Sequence, residues 1–104
     1  MPKWTLATQP ASPYFEIMRS PHLSTGVYRL QASAQDLQSP HSEDELYYVT
    51  RGRARFSAGH QDSSVAPGDL LFVPAGQPHR FHSIEEDLEL LVVFAPAEGS
   101  RSAA

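Results

Sequence analysis

Residues 68–79 read Gly68-Asp69-Leu70-Leu71-Phe72-Val73-Pro74-Ala75-Gly76-Gln77-Pro78-His79 and carry the strongest structural signal in the chain. The middle of this segment is short and wholly apolar, which is typical of a β-strand. Ala66-Pro67-Gly68-Asp69 is a strong turn signal before the strand, and a Pro-Ala-Gly turn ends it. His79 therefore begins the next strand directly after a tight turn, a position that fixes a side chain at the mouth of a barrel.

Short strand-like runs lie on both sides of this segment. They are rich in β-branched and aromatic residues and cover residues 14–19, 25–32, 45–50, 53–58, 61–65, 79–84 and 88–95. Turns are predicted between them, including Arg51-Gly52 and the acidic Glu85-Glu86-Asp87. With residues 70–73 this gives about eight strands and no convincing helix, so the pattern predicts an all-β sandwich or barrel.

The two ends of the chain differ from this middle part. Residues 1–13 contain three prolines and little periodicity, and we interpret them as an N-terminal arm. Residues 14–96 form the predicted barrel domain. Residues 97–104 are small and polar, and we expect a flexible C-terminal tail.

Composition limits the functional classes. The chain has 104 residues, a formal net charge of -4 and no cysteine, which indicates one domain without disulfides or thiolate ligands. An acidic chain of this size offers too little positive charge for nucleic acid, and we interpret the alternating Arg51, Arg53 and Arg55 as a solvated strand face. There is no signal core and no membrane-length apolar run. We expect a soluble cytoplasmic protein without a membrane or nucleic-acid partner.

Histidines and carboxylates form the candidate site. His41 and Glu45 are four residues apart, so on a strand they share one side with Glu43. Together with His79 they supply two imidazoles and a carboxylate, a set that binds Fe(II), Mn, Ni, Co or Zn and leaves open positions. A buried carboxylate beside two imidazoles is costly unless a positive charge lies between them. The sequence therefore predicts one divalent metal ion held by His41, Glu45 and His79.

Both clusters resemble the paired signature of the cupin superfamily. In its first motif His41 matches the second histidine, Glu45 the glutamate and Gly52 the closing glycine, whereas the stretch from Gly26 to His41 is longer than the pattern requires. The second motif is matched at every spacing by Gly68, Pro74, Gly76 and His79. The resemblance covers residues 14–95. It implies a double-stranded β-helix, or jelly roll, of two antiparallel sheets with the metal inside. It also implies frequent homodimerisation through outer sheet faces and swapped N-terminal strands.

Two positions depart from the family pattern. Ser39 stands where the first histidine falls, and Ser83 stands where the final asparagine falls. A fourth ligand would then come from Gln38, Ser39, Glu43 or water. Some cupins keep the fold without the metal. In that alternative Glu45 pairs with an arginine, and His79 donates a hydrogen bond directly to Glu45.

Strand parity extends the prediction to a substrate pocket. Tyr47 and Val49 share the side of Glu45, Phe81 and Ser83 share that of His79, and His82 points outward. The predicted pocket residues are Gln38, Ser39, Glu43, Tyr47, Phe81 and Ser83. Aromatic walls with a few polar groups are typical of small-molecule sites, and plain core packing is the alternative for each residue.

Three functions are compatible with these residues. The first is a metal-dependent oxidoreductase of the dioxygenase type that acts on a small oxygenated substrate, with a metal-dependent isomerase or lyase as its variant. The second is a non-catalytic module that binds a sugar or a carboxylate. The third, a metal-free scaffold, has no use for converging polar ligands.

Overall fold

A computed structural model describes residues 1–9 and 13–100. It contains a short 3₁₀ turn, Leu6–Thr8. Six strands follow it: β1 (Tyr14–Arg19), β2 (Ser24–Leu30), β3 (Asp44–Ala58), β4 (Gln61–Val65), β5 (Leu70–Val73) and β6 (His79–Ala95). Residues 10–12 of the predicted arm and 101–104 of the predicted tail lie outside the described part of the chain.

All strand pairings are antiparallel. The order is β1-β2-β6-β3-β4, and β5 pairs with β3. The first half of β3 lies between β5 and the second half of β6, and its second half lies between β4 and the first half of β6. The two long strands thus contribute to both halves of the fold, and the predicted all-β jelly roll is confirmed.

Two of the predicted turns are wrong. Arg51-Gly52 lies inside β3 and Glu85-Glu86-Asp87 lies inside β6, so four predicted strands are two long ones. The pairing between β3 and β6 shifts register around these positions. Gly52 has φ +93°, and a Cβ there would collide with the backbone of Asp87 and Leu88. Glycine therefore keeps the strand pair continuous through an irregularity, where the sequence alone suggests a reversal.

Alternation along the strands builds one core. On β3, Tyr47 and Val49 are fully buried as parity predicts. The register shift around Arg51 and Gly52 reverses the alternation, so Arg51, Arg53 and Arg55 face outward and are exposed. The rest of the core comes from Ala54 and Phe56 of β3 and from inward positions of the other strands, namely Tyr28, Leu30, Val65, Val73, Phe81, Ile84, Leu88, Leu90, Val92 and Phe94.

β5 differs from a strand buried on both sides. Val73 faces the core, but Leu70 and Phe72 lie on the outer face with 65% and 59% of their surface exposed. They pair with Tyr48 and Leu46 of β3, which are also partly exposed. The apolar side chains of β5 therefore contribute both to the core and to an apolar patch on the outer face.

The described segments before β1 and after β6 contact the sheet. Arg29 of β2 donates to the carbonyl oxygens of Leu6 and Gln9, which holds the N-terminal segment on the outer face. Residues 97–100, assigned to the tail from the sequence, fold back on the strands, and Ala97 is buried.

Among the described residues no helix has the length and apolar character needed to cross a membrane.

Candidate functional site

One cavity opens on the inner face of the sheet. Its volume is about 100 Å³, and it is lined by Tyr14, Tyr28, Gln38, His41, Glu45, Tyr47, Val92, Phe94 and Glu98. Four strands and the segments before β3 and after β6 contribute to it. Since liquid water takes about 30 Å³ per molecule, the cavity has room for only a small ligand.

Gly26 of β2 leaves room for the ring of Tyr14, one of the aromatic residues that line the cavity. It pairs with Glu16 of β1 and with Val92 of β6, and a Cβ at this position would run into the ring of Tyr14. The absence of a side chain therefore lets Tyr14 lie across β2, where its ring packs edge-on against Tyr28 and Phe94.

Glu45, Tyr47 and His79 form the buried polar centre. The Nε2 atom of His79 lies 3.2 Å from Glu45 Oε1 and 3.0 Å from the Tyr47 hydroxyl. The side chains of Glu45 and His79 are 2% and 1% exposed. Cross-strand pairing of Glu45 with Phe94 and of Tyr47 with Val92 sets both side chains on the inner face.

The hydrogen positions in this centre follow from its partners. The Nδ1 atom of His79 lies 2.8 Å from the carbonyl oxygen of Gln77, which only accepts, so Nδ1 carries a hydrogen. The Tyr47 hydroxyl donates to Gln38 Oε1 at 2.8 Å. The neutral imidazole then presents a lone pair at Nε2 toward the Glu45 carboxylate. Two acceptors that face each other at 3.2 Å require a proton or a cation.

The pKa values reflect this crowding. Burial lowers the pKa of His79, but the adjacent Glu45 carboxylate and the Gln77 carbonyl raise it to a net value above the ordinary one. Burial, with Glu45 beside it, raises the pKa of Tyr47 well above that of a free phenol. The Tyr47 hydroxyl is therefore protonated at neutral pH and can donate a hydrogen bond.

His41 lines the same cavity from the segment before β3. Its ring packs edge-on against Phe94 with centroids 4.7 Å apart, and it lies 6.2 Å from the His79 ring. The Nδ1 atom of His41 is 3.5 Å from Glu98 Oε2. Burial and the neighbouring carboxylates raise the pKa of Glu98, although His41 opposes this effect.

Asp36 organises the loop that brings Gln38 to the cavity. It accepts hydrogen bonds from the Tyr28 hydroxyl at 2.5 Å, from Gln38 Nε2 at 2.7 Å and from the Phe81 backbone N–H at 2.9 Å. Because the Gln38 nitrogen is held by Asp36, its oxygen faces Tyr47.

The other predicted pocket residues have different places. Glu43 is buried, but it accepts hydrogen bonds from Ser42 and from Gly99 N–H and does not line the cavity. Ser39 is exposed. Phe81 is buried in the core behind Tyr47, with ring centroids 5.0 Å apart.

Strand parity fails at the end of the His79 motif. Ser83 has φ +51° and is exposed, so its predicted inward orientation is wrong, and Ile84 is buried instead. His82 points away from the cavity and contacts Asp62 at 2.7 Å, in the outward orientation that parity predicts.

Six contributors to the site were not predicted from the sequence: Tyr14, Tyr28, Asp36, Val92, Phe94 and Glu98. Tyr14 and Tyr28 lie on predicted strands, so parity along β1 and β2 would have found them once the register was known. Asp36 and Glu98 lie outside the strands, and no local signal points to them.

The chemistry of the donor set fits a divalent metal ion. Within the described residues the buried Glu45 Oε1 has no hydrogen bond, although an imidazole nitrogen lies 3.2 Å away. As the side chains stand, no three histidine, aspartate or glutamate side chains in the described ranges lie close enough to hold an ion. Two predicted ligands are thus adjacent, and the third, His41, faces the same cavity with its ring directed toward Glu98.

Comparison with known proteins agrees with the fold and the motifs. The cupin domain model matches residues 26–94, and the chain belongs to this family. Uncharacterized protein SCO3923 of Streptomyces coelicolor is 46% identical over 85 residues, which are 82% of this chain and 81% of the relative.

Two further proteins are similar over part of their length or in fold. Dimethylsulfoniopropionate lyase DddQ of Ruegeria pomeroyi is 33% identical over 55 residues, which are 52% of this chain and 27% of DddQ. Its crystal structure gives a TM-score of 0.72 at 22% identity and covers 98% of this chain and 57% of DddQ. The cupin domain of Schizosaccharomyces pombe Cnp3 gives a TM-score of 0.81 at 13% identity over 90% of this chain and 73% of that domain. At these identities the solved structures show the fold alone.

Proposed function

We propose that this cupin binds one divalent metal ion with His41, Glu45 and His79 and is an enzyme that acts on a small oxygenated molecule. The observation that carries the proposal is the buried pair of acceptors, His79 Nε2 and Glu45 Oε1, 3.2 Å apart. Within the described residues this carboxylate oxygen has no hydrogen bond. A cation that shared both atoms would offset the cost of burying them.

Gln38 is the best remaining candidate for a fourth protein ligand. Of the three side chains considered from the sequence, Ser39 is exposed and Glu43 is directed at Gly99, whereas Gln38 lines the cavity. Its oxygen also holds the Tyr47 hydroxyl. Gln38 therefore either binds the ion or fixes the orientation of Tyr47.

Proton transfer is the reaction class that the cavity supports best. A bound divalent ion would act as a Lewis acid on a substrate oxygen. Tyr47 supplies a buried hydroxyl at the same place, 3.0 Å from His79 Nε2, where a proton-transferring group would be needed. Tyr14, Tyr28 and Phe94 form an aromatic wall of the cavity. A lyase or isomerase uses all of these groups. The partial similarity to a lyase supports this choice over a dioxygenase.

The experiment that tests the function is a paired assay on metal-loaded protein. Small hydroxy and keto acids are incubated in deuterated water, and the same compounds are tested for oxygen uptake. We expect deuterium exchange or elimination without oxygen uptake, and we expect both His79→Ala and Tyr47→Phe to lose it while remaining folded. His82→Ala is the matched control, since that imidazole lies outside the cavity.

Other results would favour the alternatives. Oxygen consumption that depends on His79 would favour a dioxygenase. Saturable binding of a sugar or carboxylate without turnover, weakened in the His79 variant, would favour a non-catalytic binding module.

A further inference from the structure

Glu98 enters the cavity from a part of the chain that belongs to neither histidine motif. It follows β6 and lies beyond residues 26–94, which the cupin domain matches. Its side chain lines the cavity, and Oε2 lies 3.5 Å from Nδ1 of His41. At 3.5 Å the two atoms are slightly farther apart than in an ordinary hydrogen bond.

The backbone around Glu98 is held by contacts from three other segments. Its N–H donates to Ser24 Oγ at 2.9 Å, and its carbonyl oxygen accepts from Arg19 Nη2 at 2.7 Å. The next N–H, that of Gly99, donates to Glu43 Oε1 at 3.0 Å. These bonds fix the segment on both sides of the side chain. They also give the buried Glu43 a role, although it does not line the cavity.

His79 shows what such a contact does. Its Nδ1–H donates to the carbonyl oxygen of Gln77, so Nε2 is directed at Glu45 and Tyr47. Histidines that bind metals commonly donate the other ring N–H to a carbonyl or carboxylate, which fixes the tautomer and the ring orientation. His41 has a carboxylate at the corresponding nitrogen.

We infer that Glu98 is a positioning residue for His41: its carboxylate accepts the Nδ1–H of the ring and leaves Nε2 free to bind a metal ion. The inference rests on the proposed metal function for its purpose, whereas the contact between Glu98 and His41 is a feature of the fold. Each imidazole then has its own acceptor at Nδ1, Gln77 O for His79 and Glu98 for His41.

Two readouts on the same variants test this role. Long-range ¹⁵N–¹H NMR of metal-free protein reports which ring nitrogen of His41 carries the hydrogen. Chelator competition with Zn²⁺ and Mn²⁺ gives the metal affinity. The variants are Glu98→Leu, which removes the acceptor, and Glu98→Gln, whose amide oxygen still accepts. Glu86→Leu on the exposed side of β6 is the control.

The expected pattern separates positioning from a general structural effect. Wild-type His41 carries its hydrogen on Nδ1. In Glu98→Leu the hydrogen shifts toward Nε2 and the metal Kd rises about 10- to 100-fold. Glu98→Gln keeps the wild-type tautomer and loses much less affinity, and Glu86→Leu changes neither.

Two results would overturn the inference. One is an unchanged His41 tautomer and an unchanged Kd in Glu98→Leu. The other is a Co²⁺ absorption spectrum that loses a ligand in this variant, since Glu98 would then bind the ion itself. If the wild-type protein binds no metal, the proposed function fails, while the NMR measurement still decides whether Glu98 orients His41.

Discussion

Asp36 receives hydrogen bonds from groups in three parts of the chain and joins the loop before β3 to the core. Replacing it with alanine leaves the Tyr28 hydroxyl, the Phe81 N–H and the Gln38 amide without their acceptor. Hydrogen bonds to charged groups contribute about 1.5–3 kcal/mol each and are not additive. We expect Asp36→Ala to lower the free energy of unfolding by about 3 kcal/mol, measured by urea denaturation.

The control for this prediction is Asp36→Asn. One amide oxygen still accepts, so we expect an intermediate loss. Equal stability of Asp36→Ala and wild type would show that these bonds contribute nothing. The sequence offered no sign of this role, because Asp36 acts on Tyr28 and Phe81 through contacts that only the folded chain creates.

For single residues, the sequence predicts the orientation of a side chain where the strand alternates regularly. The inward orientations of Tyr47 and Val49 follow from alternation along β3. The orientation of Ser83 is not predicted correctly, because a positive φ at this residue interrupts the alternation in β6. The position of Glu98 in the cavity is not predicted, because this residue lies outside the motifs and reaches the cavity through the fold of the segment after β6.

Gly52 decides whether β3 and β6 continue as one pair of long strands. Gly52→Ala adds a Cβ that meets the backbone of Asp87 and Leu88 and also forces a side chain into φ +93°. Backbone atoms cannot move aside as a flexible side chain can, and a left-handed conformation alone costs about 1–2 kcal/mol. We expect a loss of about 3 kcal/mol or more in stability, measured by thermal and urea unfolding.

Gly68→Ala is a matched control for Gly52→Ala. Gly68 has φ +98°, and a Cβ there meets nothing within 4 Å. We expect it to cost only the conformational penalty of about 1–2 kcal/mol. Equal losses in the two variants would contradict the close approach at Gly52. The sequence predicts both glycines as turns, because the partner strand that closes on Gly52 is distant in the chain.

Glu89 of β6 connects the outer face of the sheet to the N-terminal segment. It accepts from Arg29 Nε at 2.8 Å and from Thr50 Oγ1 at 2.7 Å, and Arg51 lies 3.6 Å away. Burial raises the pKa of Glu89, but the bonds from Thr50 and Arg29 and the two arginine charges lower it to a net value below the ordinary one.

This lowered pKa predicts a pH dependence of stability. The unfolded carboxyl titrates near about 4.3. The contribution of Glu89 is therefore present above that pH and is lost as the pH falls through the lower folded value. We expect Glu89→Gln to be less stable than wild type at pH 7 by about 2 kcal/mol and to show a flatter loss in acid. Urea unfolding between pH 7 and pH 3 measures both.

Glu86→Gln, at an exposed position of the same strand, is the control for Glu89→Gln. We expect it to unfold in parallel with the wild type across the pH range. A Glu89→Gln profile with the same acid slope as the wild type would contradict the assignment.

For the whole molecule, the outer sheet face raises the question of a second subunit. Leu46, Tyr48, Leu70 and Phe72 lie together on β3 and β5, 37–65% exposed. Contiguous apolar patches on soluble proteins commonly mark interaction sites. Since cupins frequently dimerise through outer sheet faces, we propose that a second copy of the chain covers this one.

Sedimentation analysis tests the dimer. We expect a homodimer for the wild type and a monomer for Phe72→Lys, with unchanged circular dichroism. Gln61→Lys on β4, which adds the same charge at an exposed position away from the patch, keeps the dimer. A monomeric wild type at micromolar concentration would contradict the proposal.

Elemental analysis of untagged protein purified without chelator tests the metal claim most directly. Wild type, His41→Ala, His79→Ala and the control His60→Ala are compared. We expect one divalent ion per chain in wild type and His60→Ala, and its loss in His41→Ala and His79→Ala. Iron would direct attention to oxygen chemistry, and zinc or manganese to proton transfer. A wild-type protein that holds no metal, even after reconstitution with Fe(II), Mn, Ni and Zn, would contradict the proposed metal site and would favour a cavity that binds a small ligand without a metal.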